Sequence, residues 1–132
     1  MLALAGIHTY YGESHILQGI SLHVDEGECV ALLGPNGMGK TTTLRTIMGL
    51  TPARSGSVKF KVQDITHLRP FQIARLGIGY VPEDRGLFTE LTVLENLRVP
   101  FLNLKRRNHQ RWKEIEDRIY HLFPVLRERK TQ

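Results

Sequence analysis

The fold of this 132-residue chain follows from one stretch, Gly34-Pro35-Asn36-Gly37-Met38-Gly39-Lys40-Thr41. It matches the spacing G-x-x-x-x-G-K-[ST] at every fixed position. The apolar run Cys29–Leu33 comes before it and predicts a strand buried on both faces, as in a parallel sheet. A helix is predicted after it at Thr41–Met48, ended by Gly49. Strand, glycine-rich loop and helix in this order predict a phosphate-binding loop in an α/β protein.

The residue types in this loop suit the binding of phosphate groups. Glycines let the backbone curl so that successive N–H groups point at phosphate oxygens, and the helix N-terminus adds its positive end. Lys40 is placed to reach the β- and γ-phosphates of a nucleotide, and the hydroxyl of Thr41 is placed to bind Mg²⁺. Met38 would act through its backbone N–H. The predicted nucleotide contacts of the loop are Asn36, Gly37, Met38, Gly39, Lys40, Thr41 and Thr42.

Composition excludes several classes of protein. Hydrophobic residues make up 41% and charged residues 23%, which is typical of a folded domain rather than a disordered chain. No apolar run has the length of a membrane span, and Met1–Tyr10 does not have the pattern of a signal peptide. The single cysteine, Cys29, excludes an internal disulfide and is expected to be a small buried residue. The six histidines lack metal-ligand spacing.

The net charge of +5 is concentrated near one end of the chain. Residues 105–132 hold nine Lys or Arg and four acids, which accounts for the whole net charge. A basic segment can indicate nucleic acid or anionic lipid. Here the charges alternate in sign along an amphipathic helix predicted at Gln110–Phe123, which favours a solvated helix face.

The remaining pattern predicts a mixed α/β organisation. Strands are predicted at Leu2–Thr9, Ile16–Val24, Val58–Phe60 and Ile78–Val81. Turns are predicted at Glu26–Glu28 and Ser55–Ser57, and a helix at Pro70–Leu76 before Gly77. Thr92 and Glu95 form the pattern of a capping box, which predicts the start of a short helix.

Several segments together resemble the first half of the nucleotide-binding domain of ABC transporters. The wider resemblance is carried by Tyr11-Gly12, Gly27-Glu28, Gly34–Thr43, Gly49-Leu50, Ser55-Gly56 and Gly79–Glu83. A narrower resemblance, to the ATP-binding subunits of bacterial branched-chain amino acid importers, is carried by Tyr11–Leu17, Asp64-Ile65-Thr66 and Arg75–Arg85. The likeness extends from about Leu4 to Lys130.

The resemblance implies two further site residues. Tyr11 matches the aromatic residue that stacks on the adenine ring, and its position before Gly12 favours it over Tyr10. Glu83 stands where most of the wider family has a glutamine that contacts Mg²⁺ and the attacking water. A carboxylate can also bind a hard cation, so Glu83 is a candidate catalytic and metal-binding residue beside Thr41. Its alternative role is that of a solvated loop acid.

The family also implies the architecture and partners. The expected architecture is an α/β nucleotide-binding core with an antiparallel β part in residues 1–88, followed by the start of a helical subdomain in residues 89–132. The implied cofactors are ATP and Mg²⁺. The implied partners are a second ATP-binding subunit, transmembrane permease subunits and, indirectly, a periplasmic binding protein. No nucleic acid partner is expected. The implied location is peripheral, at the cytoplasmic face of a bacterial inner membrane.

The sequence departs from the family in three ways. Met38 replaces a small residue, and Val62 occupies a turn where glycine is common and a positive φ would strain a β-branched residue. The family's second half carries an L-S-G-G-Q-type signature, a strand ending in a Mg²⁺-binding Asp, a catalytic Glu and a switch His. None of these occurs before Gln132, so the chain is expected to be a fragment that does not hydrolyse ATP alone.

Four other functions are compatible with parts of the sequence. A P-loop protein of another type, such as a kinase, would need neither the stacking Tyr11 nor the Glu83 loop. An importer of urea or another small polar solute has a closely similar ATP-binding subunit. A fragment that binds nucleotide without hydrolysing it is the expectation for these 132 residues taken alone, because the catalytic residues of the family are missing from them. A nucleic-acid binder ranks last, because the basic segment carries few aromatic residues.

Overall fold

The computed structural model of the protein describes residues 1–84, 86–101 and 109–132, with no description of the side chains of residues 109–111. These residues form two compact units, Met1–Tyr80 and Val81–Gln132. Arg85, which closes one resembling segment, and residues 105–108, the first four of the basic segment, lie outside the described residues. The expected subdomain division between residues 88 and 89 stays a prediction.

The first unit is built on a four-stranded antiparallel sheet. Its strands are β1 (Leu2–Tyr11), β2 (Ser14–Val24), β3 (Ser55–Phe60) and β4 (Gln63–Asp64), in the spatial order β2-β1-β3-β4. The register places Leu4 of β1 opposite Leu22 of β2 and Val58 of β3. These apolar partners share one face, and that face becomes the core.

Two helices cover the apolar face of the sheet. They are α1 (Lys40–Ile47) and α2 (Pro70–Arg75). Buried side chains from both helices and three strands form one cluster, which comprises Leu4, Ile7, Leu17, Ile47, Met48, Val58, Ile65 and Ile73. Helix α1 is also joined to β1 by a buried hydrogen bond between the hydroxyls of Thr46 and Thr9, 3.1 Å apart. The first unit therefore has its own core, which fixes α1 on the sheet.

The second unit is helical. It contains α3 (Val93–Arg98), a 3-10 turn at Val99–Phe101, α4 (His109–Leu122) and α5 (Pro124–Glu128). The predicted capping box is confirmed: Glu95 Oε2 accepts from the backbone N–H of Thr92 at 2.8 Å, and Thr92 Oγ1 accepts from the N–H of Glu95. The backbone N–H of Thr92, and after it the Thr92 hydroxyl, which also donates to Glu95 Oε2 at 2.8 Å, lower the pKa of Glu95 below its ordinary value. The predicted long helix is confirmed as α4.

Three sequence-based predictions about the backbone are wrong. Ser55–Ser57 is not a turn, because β3 already begins at Ser55 and pairs with β1. Cys29–Leu33 and Ile78–Val81 are not strands. A strand that is apolar on both faces needs a partner on each side, and no described strand pairs with either segment. Cys29 is accordingly exposed rather than buried, and Leu33 is 91% exposed.

The turn between β3 and β4 also differs from expectation. Among the described residues, positive φ outside glycine occurs at Lys61, with φ 56°, and not at Val62. The strain expected at the β-branched Val62 therefore falls on its neighbour. The N–H of Lys61 donates to the carbonyl of Met1 at 2.7 Å, which ties the turn to the start of β1.

None of the helices in the described part of the chain combines the length and the apolar character needed to cross a bilayer.

Candidate nucleotide-binding site

The glycine-rich loop runs directly into the first turn of α1. Asn36 and Gly37 form its turn, and Gly39 occupies the N-cap position of α1 with φ 83°, in the left-handed region. No side chain caps this helix end, and its first turn contains no acidic residue. The N-terminal N–H groups and the positive end of the helix dipole are thus left for an anion, as in phosphate-binding loops.

Gly39 is confined by the core as well as by its backbone conformation. A Cβ atom built on Gly39 would lie 2.6 Å from Cδ2 of Leu17, which is 1% exposed. Gly37 has the same φ of 83°, but nothing lies within 4 Å of a Cβ built there. Position 39 therefore requires glycine for its backbone conformation and for lack of space, whereas position 37 requires it for its backbone conformation alone. This close approach to β2 fixes the point where the loop joins the helix.

The side chain of Lys40 turns back over the loop. Its Nζ donates to the carbonyl oxygens of Gly34 and Pro35, each at 2.7 Å. The ammonium group therefore lies against the backbone of the loop it follows. A lysine held there can exchange these two neutral acceptors for phosphate oxygens, which are charged and make stronger hydrogen bonds.

The threonines after Lys40 point in different directions. Thr41 is exposed at the start of α1, so its hydroxyl is accessible to a metal ion. Thr42 is buried on the side of the helix that faces Tyr11. Met38 is 69% exposed, consistent with a position that contributes its backbone rather than its side chain. The structure thus brings Tyr11 and the loop-to-helix junction together in one unit.

Tyr11 and Tyr10 differ in their surroundings. The Tyr10 ring is occupied: His15 stacks on it at 4.2 Å between centroids with an interplanar angle of 4°, and the guanidinium carbon of Arg54 lies 4.3 Å from its centroid. Tyr11 is 46% exposed and makes no aromatic contact with a described residue. Because a stacking residue needs an open ring face, the structure favours Tyr11 for this role.

The hydroxyl of Tyr11 is anchored although its ring is open. It lies 3.3 Å from the hydroxyl of Thr51, which in turn accepts a hydrogen bond from Nε of Arg45 at 3.3 Å. The hydrogen bond with Thr51 lowers the pKa of Tyr11; partial burial opposes this, and Thr42 and Arg45 add to the lowering. Sequence reasoning missed Thr51 and Arg45, because no local spacing links either residue to Tyr11, which lies 40 residues before Thr51.

Glu83 lies in the second unit, at an exposed turn. Glu83 forms no ion pair with another described residue. No cluster of three or more His, Cys, Asp or Glu side chains that could hold a metal occurs in the described ranges. The catalytic and metal-binding role predicted for Glu83 therefore stays a prediction.

A glycine-rich loop that leads into an uncapped helix on an α/β scaffold is typical of proteins that bind nucleotide phosphates. The chain belongs to the ABC transporter family, whose family model matches residues 17–131.

Relatives support the narrower resemblance in part. Over all 132 residues the chain is 38% identical to the high-affinity branched-chain amino acid transport ATP-binding protein BraG of Pseudomonas aeruginosa and covers 55% of that protein. It is 35% identical to the probable branched-chain amino acid transport ATP-binding protein LivF of Archaeoglobus fulgidus, with 96% of the chain and 52% of that protein covered. A sulfate/thiosulfate import ATP-binding protein, CysA of Vibrio cholerae, is 32% identical over 95% of the chain and 32% of its own length. The chain spans about half the length of the branched-chain relatives it matches.

Solved structures agree on the fold. A nucleotide-free ATP-binding cassette from an ABC transporter superposes with a TM-score of 0.76 at 26% identity, covering the whole chain and 56% of that structure. A dimeric cassette in a post-hydrolysis state, bound to ADP and Pi, superposes with a TM-score of 0.67 at 32% identity over 76% of this chain and 46% of its own. The fold is therefore that of an ABC ATPase cassette, in the part that this chain covers.

The two glycines of the loop give a matched pair for a test of its packing. Gly39→Ala should destabilise the chain more than Gly37→Ala, because both place an L side chain at positive φ, which costs about 1–2 kcal/mol, while Gly39→Ala also pushes against Leu17. Urea unfolding of the two variants and the parent chain measures the difference. Equal losses of stability would contradict a tight packing of Gly39 on β2.

Proposed function

We propose that this chain is the nucleotide-binding part of an ATP-binding subunit of an ABC importer and that it binds ATP with Mg²⁺ through Gly34–Thr42. The observation that carries the proposal is the arrangement at the N-terminus of α1. There the glycine-rich loop, the uncapped helix end and the amine of Lys40 lie close together. All three favour a multiply charged anion at one place.

The base of the nucleotide would stack on Tyr11. Its ring is open, its hydroxyl is anchored, and it lies in the same unit as the loop. The proposed contacts with the phosphates come from Asn36, Gly37, Met38, Gly39, Lys40 and Thr42, and the hydroxyl of Thr41 would bind Mg²⁺. Glu83 is proposed to approach the metal and the attacking water in the complete protein.

The transported solute is proposed from relatives. Two of the similar proteins carry names of branched-chain amino acid transporters, and both match nearly the whole chain. We therefore propose branched-chain amino acid uptake, energised by a pair of such subunits on a membrane permease that receives its solute from a periplasmic binding protein. The subunit would lie at the cytoplasmic face of the inner membrane. A solute of another kind is the second candidate, because a sulfate/thiosulfate importer subunit is also similar.

The phosphate-loop assignment is tested by Lys40→Ala. Loss of a charge-assisted contact with the β- and γ-phosphates removes about 1.5–3 kcal/mol, so the affinity for Mg²⁺-ATP should fall roughly tenfold to a hundredfold. Titration calorimetry on the 132-residue chain measures it. Lys59→Ala, an exposed lysine of β3, is the matched control and should bind like the parent. Equal affinity of the parent and Lys40→Ala would exclude the assignment.

The solute is tested in cells that carry the gene. Lys40→Ala in the encoded protein should reduce the uptake of labelled leucine to the level of a strain that lacks the gene, because ATP no longer binds. Uptake of labelled urea and sulfate should stay unchanged, and Lys59→Ala should change none of the three. A loss confined to urea or sulfate would replace the branched-chain proposal with the corresponding solute.

We infer further that the 132-residue chain does not hydrolyse ATP by itself. Hydrolysis needs a positioned water and charge stabilisation around the γ-phosphate, and the chain offers Lys40, Thr41 and Glu83 for this. The family resemblance assigns the other groups to segments that these 132 residues do not contain. The exposed apolar run Cys29–Leu33 also favours association between copies of the chain, since an unpaired apolar segment can form strand pairs with another molecule.

Phosphate release by the purified, monodisperse chain with Mg²⁺-ATP measures this. We expect no turnover above that of Lys40→Ala. Steady release that disappears in Lys40→Ala would show that these residues suffice for hydrolysis.

A further inference from the structure

Both ends of α1 take part in the candidate site. Its first turn carries the phosphate loop, and its last turn leads through Gly49 into Thr51. The carbonyl of Arg45 accepts from the N–H groups of Leu50 and Thr51, at 2.9 and 3.3 Å, so the chain folds back against the helix it has just left. Thr51 is thereby placed beside the side chain of Arg45.

Gly49 is required for the turn that brings the chain back against α1. Gly49 has φ 66°, and a Cβ built on it would lie 2.7 Å from the carbonyl oxygen of Leu68. The N–H of Gly49 donates to the carbonyl of Thr46 at 3.0 Å. A tight turn with a fixed left-handed residue leaves Thr51 little freedom of position. Its side chain is 8% exposed, which restricts it further.

The hydroxyl of Thr51 connects a helix to a strand. Nε of Arg45 donates to Thr51 Oγ1 at 3.3 Å, and Oγ1 lies 3.3 Å from Oη of Tyr11. Because a hydroxyl carries one proton and two lone pairs, Thr51 can accept from Arg45 and direct its proton to Tyr11. The hydrogen bond then lowers the pKa of the phenol, as a donor to the phenol oxygen should.

The anchoring acts on the end of the tyrosine that is not needed for stacking. Tyr11 ends β1 and pairs with Ser14 across a turn at Gly12, where φ is 57°. Without a contact at its hydroxyl, the half-exposed ring could take other rotamers. An ordered aromatic ring loses less entropy when a base stacks on it, so a fixed rotamer favours binding.

We propose that Thr51, oriented by Arg45, is a positioning residue that holds the Tyr11 ring ready to stack on the base of a bound nucleotide. This inference rests on the proposed function. Thr51, which is 8% exposed, acts through the hydroxyl of Tyr11 and not by a contact of its own with the nucleotide. Its effect is confined to ligands that carry a base, and this separates positioning from a general effect on folding.

The test compares Mg²⁺-ATP with Mg²⁺-tripolyphosphate, which has the phosphates but no base. Thr51→Val keeps the shape of the side chain and removes the hydroxyl. It should weaken ATP binding about twofold to tenfold, the range expected for one hydrogen bond, and leave tripolyphosphate binding unchanged. Thr51→Ser should restore ATP affinity. Calorimetry of each variant with both ligands measures these ratios.

Thr46→Val is the matched control. It removes a buried hydroxyl from α1 that bonds Thr9 and not Tyr11. It should leave the ratio of ATP to tripolyphosphate affinity unchanged. Tyr11→Phe removes the other partner of the hydrogen bond and should lower ATP affinity as Thr51→Val does. In the Tyr11→Phe background, Thr51→Val should have no further effect. If Thr51→Val does not fold, Tyr11→Phe alone decides the question.

The outcomes separate the two hypotheses. ATP affinity that depends on Lys40 but is unaffected by Thr51→Val and Tyr11→Phe would overturn the positioning role alone. An equal loss of affinity for ATP and tripolyphosphate would overturn it too, because the effect would be structural. ATP affinity that does not depend on Lys40 would overturn the proposed function and this inference with it.

Discussion

The packing of helix α1 on the antiparallel sheet is the constraint on which the rest of the first unit depends. At the start of the helix, Gly39 fits against Leu17 with no room for a side chain. In its last turn, the hydroxyl of Thr46 bonds that of Thr9 in the buried interface. At the end, Gly49 turns the chain so that Thr51 reaches Tyr11. A shift of the helix along the sheet would disturb all three contacts, because closely packed interiors do not deform smoothly.

Helix α1 has a buried face and an N-terminal end that no side chain caps. The buried face of α1 holds the core, and its N-terminal end keeps its N–H groups free of capping side chains. Ordinary helices stabilise that end with Ser, Thr, Asp or Asn. Here Gly39 stands at the cap without any side-chain hydrogen bond, so the loop gives up local stability. The tertiary contacts with β2 supply the stability that a cap would otherwise provide.

The run Cys29–Leu33 shows that a predicted strand can be absent although the loop predicted to follow it leads into a helix. Its sequence has the apolar pattern of a doubly buried strand, and the loop that should follow such a strand is present. The run is nevertheless exposed, and none of the four described strands pairs with it. A strand is defined by hydrogen bonds to a neighbour. An apolar sequence pattern indicates that a strand would need such a neighbour, but it does not determine whether the neighbour is present.

The sequence by itself determined the elements whose causes are local. The glycines of Gly34–Gly39 specified the loop before α1, Gly49 ended α1, and Thr92 with Glu95 specified the start of α3. Only the tertiary structure decided the rest. It placed His15 and Arg54 against the ring of Tyr10 and left the ring of Tyr11 open. It also brought Thr51 to Tyr11, since a contact between residues far apart in the chain depends on how a helix lies on a sheet, which no local spacing records.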